Sequence, residues 1–195
     1  MRFILLALGA NRPGLWGPPQ ETFTRSIVVL KRVGIQIVAK SQIYQTDPVG
    51  GPGRASYVNA VVLVRTSLPP TKVLILVKQI ERAAGRHTRG RWAPRPLDID
   101  ILDDRSLTLG WRHRRDARLP AMAAKRRPNR PELAVPHLVL PHPRMHLRAF
   151  VLVPLLDVAP TWRHPVLGLS GRTLLQALRV QRRGVRRARQ QWPSN

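Results

Sequence analysis

Apolar residues change their spacing several times along this chain, and the changes predict alternating strands and helices. Phe3 to Leu8 is a continuous apolar run of the right length for one buried strand, ended by the turn signal Asn11-Arg12-Pro13-Gly14. Pro18 and Pro19 open a helix over about 20–33, with Phe23, Ile27, Val28 and Leu30 on one face and Gly34 as its stop. Ile35 to Tyr44 alternates as a second strand, and Tyr57 to Thr66 reads as a third. Ser67 is placed to cap a second helix with Pro69 and Pro70 in its first turn. Val73, Leu74, Val77, Ile80 and Ala84 form its apolar stripe, and Gly85 ends it. Leu97 to Leu102 is the fourth strand. The order β-α-β-β-α-β predicts an α+β, ferredoxin-like sandwich, an antiparallel sheet with helices packed on one face.

Beyond that unit, Ser106 to Leu109 suggests a short strand, Met145 to Val158 a last long helix and Leu174 to Leu178 a short one. The chain therefore reads as one domain over 1–180, carrying a long basic insertion at about 111–137, followed by a solvated basic tail over 181–195.

Composition narrows the function classes. With 195 residues and 43% hydrophobic content the chain has enough material for a packed core. Cysteine is absent, which excludes disulfides and thiolate metal sites and fits a reducing, cytoplasmic setting. No apolar run approaches the roughly 20 residues of a membrane span. Arg2 followed by Phe3 to Ala10 has the start of a signal peptide, but the stretch is short and meets a turn, so a buried strand is the better reading. The formal charge of +24, from 34 basic and 10 acidic residues, raises nucleic-acid binding. Arginine is scattered over the whole chain, however, and the densest clusters (Arg112–Arg118, Lys125–Arg130, Arg182–Arg189) fall in segments that read as loop or tail. The rare acids say more: Asp98, Asp100, Asp103 and Asp104, four of the ten, lie within seven residues.

Asp98-Ile99-Asp100 is the sharpest local feature. Residues two apart on a strand project from the same face. Adjacent carboxylates repel unless a cation neutralises them, and Mg²⁺ is commonly held by one or two carboxylates together with substrate phosphates. A charged edge strand that discourages aggregation explains the pattern about as well. Just before it, Arg86 to Arg95 is rich in guanidinium groups, which match phosphate oxygens bidentately and make a plausible closing lid. For any one of these arginines a solvated role is the better reading. Gly9 to Gly14 has Walker glycine spacing, but Leu15-Trp16 stands where Lys-Ser/Thr is required, and Gly51-Pro52-Gly53 lacks the third glycine of a dinucleotide fingerprint. His142 and His146 have the spacing of a metal pair without carboxylate or cysteine partners nearby, which disfavours zinc. His142 reads equally as a phosphate contact or as a cap for the following helix.

Four stretches carry a resemblance: Leu8-Gly9-Ala10-Asn11; Tyr44-Gln45-Thr46-Asp47-Pro48-Val49-Gly50 with Tyr57-Val58-Asn59-Ala60; Arg91 to Ile101; and Leu140 to Leu152. In this order the chain resembles the 6-hydroxymethyl-7,8-dihydropterin pyrophosphokinases of folate biosynthesis, over about Arg2 to Leu178. The resemblance implies transfer of the pyrophosphoryl group of ATP to the pterin hydroxymethyl oxygen, with AMP released. It implies that Asp98 and Asp100 hold two Mg²⁺ ions and that Arg86 and Arg95 act with them in catalysis. It assigns His142, Arg148, Glu81 and Arg91 to ATP. Thr46, Val49, Tyr57, Asn59, Trp92 and Phe150 fall to the pterin, with Phe150 against the ring face and Asn59 at its edge. The expected partners are these small molecules, with no nucleic acid and no membrane, and the expected state is a monomer.

Some positions depart from the family pattern. The loop from Arg86 to Trp92 is short, so Thr88 and Arg89 receive no role. Pro96 stands where Thr or Ser is common, and Leu147 where Glu is frequent. His137 echoes His142, but only His142 has the matching downstream residues. The competing reading is an RNA-recognition module, which needs exposed aromatics on its central strands. Asn59 to Val64 supplies none. An inactive relative is the third reading, and the intact aspartate pair speaks against it.

Overall fold

The computed structural model describes residues 1–46, 56–86, 95–105, 107–111 and 138–193. The first apolar run is the middle of the sheet. Strand β1 (Arg2–Ala10) lies between β4 (Tyr57–Thr66) and β5 (Asp98–Asp104), antiparallel to both. On the far side of β4 two short strands share one edge, β2 (Gln36–Lys40) and β3 (Tyr44–Thr46), and β6 (Val185–Arg187) pairs outside β3. Helix α1 (Pro19–Arg32) connects β1 to β2, and α2 (Pro70–Ala83) connects β4 to β5. Each crossover skips one strand, which produces the split βαβ arrangement expected from the sequence.

Strand alternation divides the apolar residues between two cores. Ile4, Leu6, Leu8 and Ala10 pack with Phe23, Ile27 and Leu30 of α1 and with Val73, Val77 and Ile80 of α2. Leu5, Val61, Leu63 and Leu102 face the opposite way. They meet Met145, then α3 (Ala149–Val158), then Trp162 and Leu174, the last from α4 (Gly171–Gln176). Helices thus cover both faces, not the single face expected. The C-terminal third supplies a second apolar layer, and α3 is so uniformly hydrophobic that its pattern alone does not say what it covers.

Other boundaries shift for local reasons. The second strand breaks in two at Ser41. Its amide donates to Val61 O at 2.9 Å, while its hydroxyl takes the Val61 amide at 2.9 Å in place of its own carbonyl. Helix α2 starts behind Pro69 without a side-chain cap, so Ser67 does not cap it; a proline at the first turn has no N–H to satisfy. The helix expected over Met145–Val158 is a 3₁₀ turn (Met145–Leu147) and α3, separated by Arg148 in an extended conformation. The short helix expected over Leu174–Leu178 begins earlier, at Gly171, because Ser170 Oγ caps it through the Thr173 amide. Of the strand expected over Ser106–Leu109, residue 106 lies outside the described residues, and the described ones form isolated bridges, Asp104 with Leu107 and Leu109 with Leu140. The insertion falls outside the described residues from 112 to 137.

The expected tail is the largest correction. Residues 179–183 form α5 (Arg179–Arg183), 185–187 form β6, Ala188 is buried, and Trp192 packs on the first core. Exposed arginines at 182, 183, 186, 187 and 189 hide the few apolar and amide groups that do the anchoring.

Asp103 joins the sheet to the second core. It is buried, and its Oδ2 accepts from Trp162 Nε1 at 2.9 Å. Burial pushes its carboxyl up to about 6; the Trp162 bond opposes the rise and the Asp104 charge adds to it. The folded chain therefore holds this proton more tightly than the unfolded chain, and the contribution to stability falls as pH rises from about 4 to 6. Asp103→Asn should remove that dependence. Urea unfolding at a series of pH values should show the variant gaining on the natural chain between pH 4 and 7, by no more than about 3 kcal/mol. A constant difference across that range would contradict a buried proton.

Candidate active site

Strand register assembles the site. Tyr44, Asn59, Gly9 and Asp98 are successive partners across β3, β4, β1 and β5, and Val61, Ala7 and Asp100 form the adjacent row. A Cβ on Gly9 would lie 3.6 Å from Asn59 Oδ1 and 4.0 Å from the Asp98 Cβ, so these residues share one face with a bare floor between them. Ile99 and Ile101 point into the first core, which leaves both aspartates on the α3 side. Asp98 and Asp100 therefore share one face, and Asp100 is the more open of the two, with 36% of its side chain exposed against 15% for Asp98.

The end of α2 places the first arginine. Gly85 adopts φ +99° and donates to Arg82 O, and the Arg86 amide donates to Glu81 O at 3.1 Å. This is a Schellman ending, which brings the residue after the glycine back over the helix's last turn. Where many proteins have an apolar contact, this one has an ion pair: Arg86 Nη1 lies 2.8 Å from Glu81 Oε2. Glu81 is buried, and its Oε1 accepts from the Ile99 amide at 2.7 Å and from Lys78 Nζ at 2.6 Å. Burial raises its carboxyl above the ordinary value, against the pull of Lys78, the Ile99 amide and Arg86. Glu81 thus links α2 to β5 and orients Arg86.

Arg86 and Arg95 both pair with Asp98, one on each carboxylate oxygen. Burial alone would raise the Asp98 carboxyl; Arg86, Arg95 and Lys78 outweigh it and hold the group below its ordinary range. Arg95 is fixed by Asn11, whose Oδ1 accepts the Arg95 amide at 2.8 Å and whose own amide donates to Arg95 O at 3.0 Å. Asn11 follows β1 directly, so the first strand also locates the second arginine.

The third wall comes from residues 140–150. Leu140–Pro141 is a cis peptide, and the His142 amide donates to Leu102 O of β5 at 2.7 Å. His142 Nδ1 accepts the Arg144 amide at 3.1 Å, so it caps this turn as well as facing the site. Burial first, then Arg148 and Arg144, depress its pKa to about 4, while the Asp100 charge opposes them. It is neutral at physiological pH. Arg148 Nη1 stands 4.0 Å from Asp100 Oδ2, and its guanidinium lies over the Phe150 ring at 5.7 Å. His146 sits apart from His142, fully buried and edge-on to His164 at 5.1 Å.

On the other side of the floor, Asn59 Nδ2 donates to Thr46 Oγ1 at 3.0 Å, and Tyr57 pairs with Thr46. Arg86, Arg95, Asp98, Asp100, Glu81, His142, Arg148, Phe150, Thr46, Asn59 and Tyr57 thus line or support one region of the sheet. Val49, Arg91 and Trp92 lie outside the described residues. Sequence reasoning gave no role to Asn11, Lys78 or the Tyr44–Asp157 contact, in which the Tyr44 hydroxyl donates to Asp157 at 2.9 Å. Asn11, an amide at a strand end before a turn, carried a readable signal, as did Lys78, three residues before Glu81 on one helix; the Tyr44–Asp157 contact is tertiary.

Among the described residues no group of three or more His, Cys, Asp or Glu side chains is placed to hold a metal ion. Two hard-oxygen carboxylates on one face fit Mg²⁺, an ion that keeps water and takes substrate phosphates as further ligands. Asp98 is engaged by arginines whose guanidinium groups also suit phosphate, so the donor set is compatible with such an ion.

Comparison with known proteins bears on this geometry. Residues 5–160 match the model of the family described as 7,8-dihydro-6-hydroxymethylpterin-pyrophosphokinase (HPPK). A Bacillus subtilis protein named 2-amino-4-hydroxy-6-hydroxymethyldihydropteridine pyrophosphokinase is 34% identical over 155 residues, covering 78% of this chain and 75% of that protein. A Porphyromonas gingivalis protein of the same name is 34% identical over 169 residues, covering 85% and 95%. A crystal structure of Plasmodium falciparum HPPK-DHPS superposes with a TM-score of 0.65 at 16% identity; the match covers 91% of this chain and 44% of that one, so this chain spans less than half of the solved protein. That likeness concerns the fold.

The two Schellman glycines provide an internal control for the site. Gly34 ends α1 at φ +83° with open space where a Cβ would be, far from Asp98 in the sheet, and Gly85 ends α2 at φ +99° beside Arg86. Alanine at either should lower stability by about 1–2 kcal/mol through left-handed strain, with a further loss at Gly85, where the new Cβ would lie 3.1 Å from Leu15 Cγ. Only Gly85→Ala should also depress activity, because it displaces Arg86 from Glu81 and Asp98. Equal activity losses in the two variants would contradict this role for the helix end.

Proposed function

The chain belongs to the 7,8-dihydro-6-hydroxymethylpterin-pyrophosphokinase family, and from that membership we propose that it transfers the pyrophosphoryl group of ATP to 6-hydroxymethyl-7,8-dihydropterin in folate biosynthesis. The pterin hydroxymethyl oxygen attacks the β-phosphorus, the bond to the oxygen bridging the α- and β-phosphates breaks, and AMP leaves. The observation that carries this reading is the face on which Asp98 and Asp100 lie beside Arg86, Arg95 and Arg148. Little covalent chemistry falls to the protein in phosphoryl transfer, so positioning and charge neutralisation are what a site must supply.

Magnesium, two ions in our reading, would be held by Asp98 and Asp100 and would neutralise charge on the phosphates and the attacking oxygen. Arg86 and Arg95 exchange the Asp98 carboxylate for phosphate oxygens when the nucleotide arrives. Arg148 and the neutral His142 contact the phosphate chain, His142 through the ring nitrogen that does not accept from Arg144. Arg91 is assigned to the same nucleotide by resemblance. Glu81, expected as an ATP ligand, acts in this reading as the buried anchor of Arg86.

The pterin lies against Phe150, with Asn59 and Thr46 at its edge and Tyr57, Val49 and Trp92 as further contacts. A flat heterocycle rich in donors and acceptors suits an aromatic face with an amide beside it. We assign small-molecule partners only, a monomer and a cytoplasmic location. Among the described residues no helix is long and apolar enough to cross a membrane. Helices cover both faces of the sheet, which disfavours the RNA-recognition reading, since that module binds on an open face.

The test is AMP release from ATP that depends on both the pterin and Mg²⁺. Asp100→Ala and Asp98→Asn should each lower that rate by at least about a hundredfold; the urea midpoint should stay close to that of the natural chain in Asp100→Ala and fall in Asp98→Asn, where Arg86 and Arg95 lose their charged partner. Near-normal turnover in either variant would sink the metal assignment, and AMP release without pterin would sink the acceptor.

A further inference from the structure

At the break between β2 and β3, the Ser41 carbonyl and both backbone groups of Ile43 are taken by residues 188–192, which lie beyond the 5–160 span that the family model describes. Gln191 takes the place of a strand backbone: its Oε1 accepts the Ile43 amide at 2.7 Å, and its Nε2 donates to Ile43 O at 3.1 Å and to Ala188 O at 2.6 Å. The Ala188 amide donates to the same Ile43 carbonyl at 2.8 Å. Trp192 Nε1 donates to Ser41 O at 2.6 Å, and its ring packs beside Phe23 of the first core. From there β6 runs along β3, pairing Arg187 with Tyr44 and Val185 with Thr46. The remaining amide of the break, Gln42 N, is taken by Asp157, the residue that also accepts the Tyr44 hydroxyl.

We propose that residues 185–192 form a positioning clamp for the substrate edge of the site, with Gln191 as its main positioning residue. β3 is only three residues long and carries Thr46, the partner of Asn59. Held by β4 alone, so short a strand beside a break would fray. Held on both sides, it presents Thr46 and Asn59 in one geometry and leads the chain into the segment bearing Val49. The clamp touches neither Asp98 nor Asp100, which lie across the sheet on β5. It therefore acts on the heterocycle and not on the nucleotide. This inference rests on the pterin reading of the Thr46–Asn59 edge.

The test uses the full chain, with steady-state kinetics for both substrates below the unfolding range. Gln191→Ala should raise KM for 6-hydroxymethyl-7,8-dihydropterin about tenfold, with KM for ATP and kcat changed by no more than about twofold. Gln191→Glu keeps an acceptor for the Ile43 amide and should recover part of the loss. Amide exchange should quicken at residues 43–46 in Gln191→Ala and stay unchanged on β5. Should Gln191→Ala fold poorly, Trp192→Phe keeps the packing, removes the bond to Ser41, and should move the same KM in the same direction. An unchanged pterin KM, or pterin and ATP constants rising together, would overturn the clamp. A natural chain that releases no AMP with pterin would overturn the reading beneath it; quickened exchange at 43–46 would then still identify the clamp as a structural brace, and unchanged exchange would remove that as well.

Discussion

The Asp98 carboxylate, held between two guanidinium groups, organises this site. Burial alone would favour its protonated form, and Arg86 and Arg95 reverse that preference. Neither arginine is placed by chance of side-chain rotation. Arg86 is delivered by a helix ending that only glycine adopts without strain, then tied to the buried Glu81, and Arg95 is held through its backbone by Asn11. Both guanidinium groups and the carboxylate are thereby paired, so that no unpaired charge is left buried between α2 and β5.

The two cores serve that arrangement. One fixes Ile99 and Ile101, so the residues between them must face the other way. The other seats Met145, Ala149 and Leu152, which brings Arg148 and Phe150 over the same face. The walls of the site thus come from both layers, while its floor is the sheet. Its two ends are chemically different. Carboxylates and guanidinium groups gather on β5, and an amide, a hydroxyl and aromatic rings gather toward β3.

Much of this was legible in the sequence because it rests on short-range rules. Strand alternation put Asp98 and Asp100 on one face, and Gly34 and Gly85 marked two helix ends whose positive φ requires them. Other features were hidden because they depend on distant partners. Nothing local to Ser41 announces that its hydroxyl replaces its own carbonyl in the ladder. Nothing in the helical spacing of 149–158 says that it covers the second face. The run of arginines after 181 looked like a tail because charge dominates its composition, whereas Ala188, Gln191 and Trp192 decide its placement. Val49, Arg91 and Trp92 remain assigned by resemblance alone.

The C-terminal strand also sets an order of events. Ile43 waits for Gln191, 148 residues further on, and Ser41 for Trp192, 151 residues further on. During synthesis from the N-terminus, β1, α1 and β4 are made long before these partners exist. The β3 edge is therefore completed late, through contacts of very large sequence separation. One edge of the sheet thus owes its completion to residues far along the chain from those it joins.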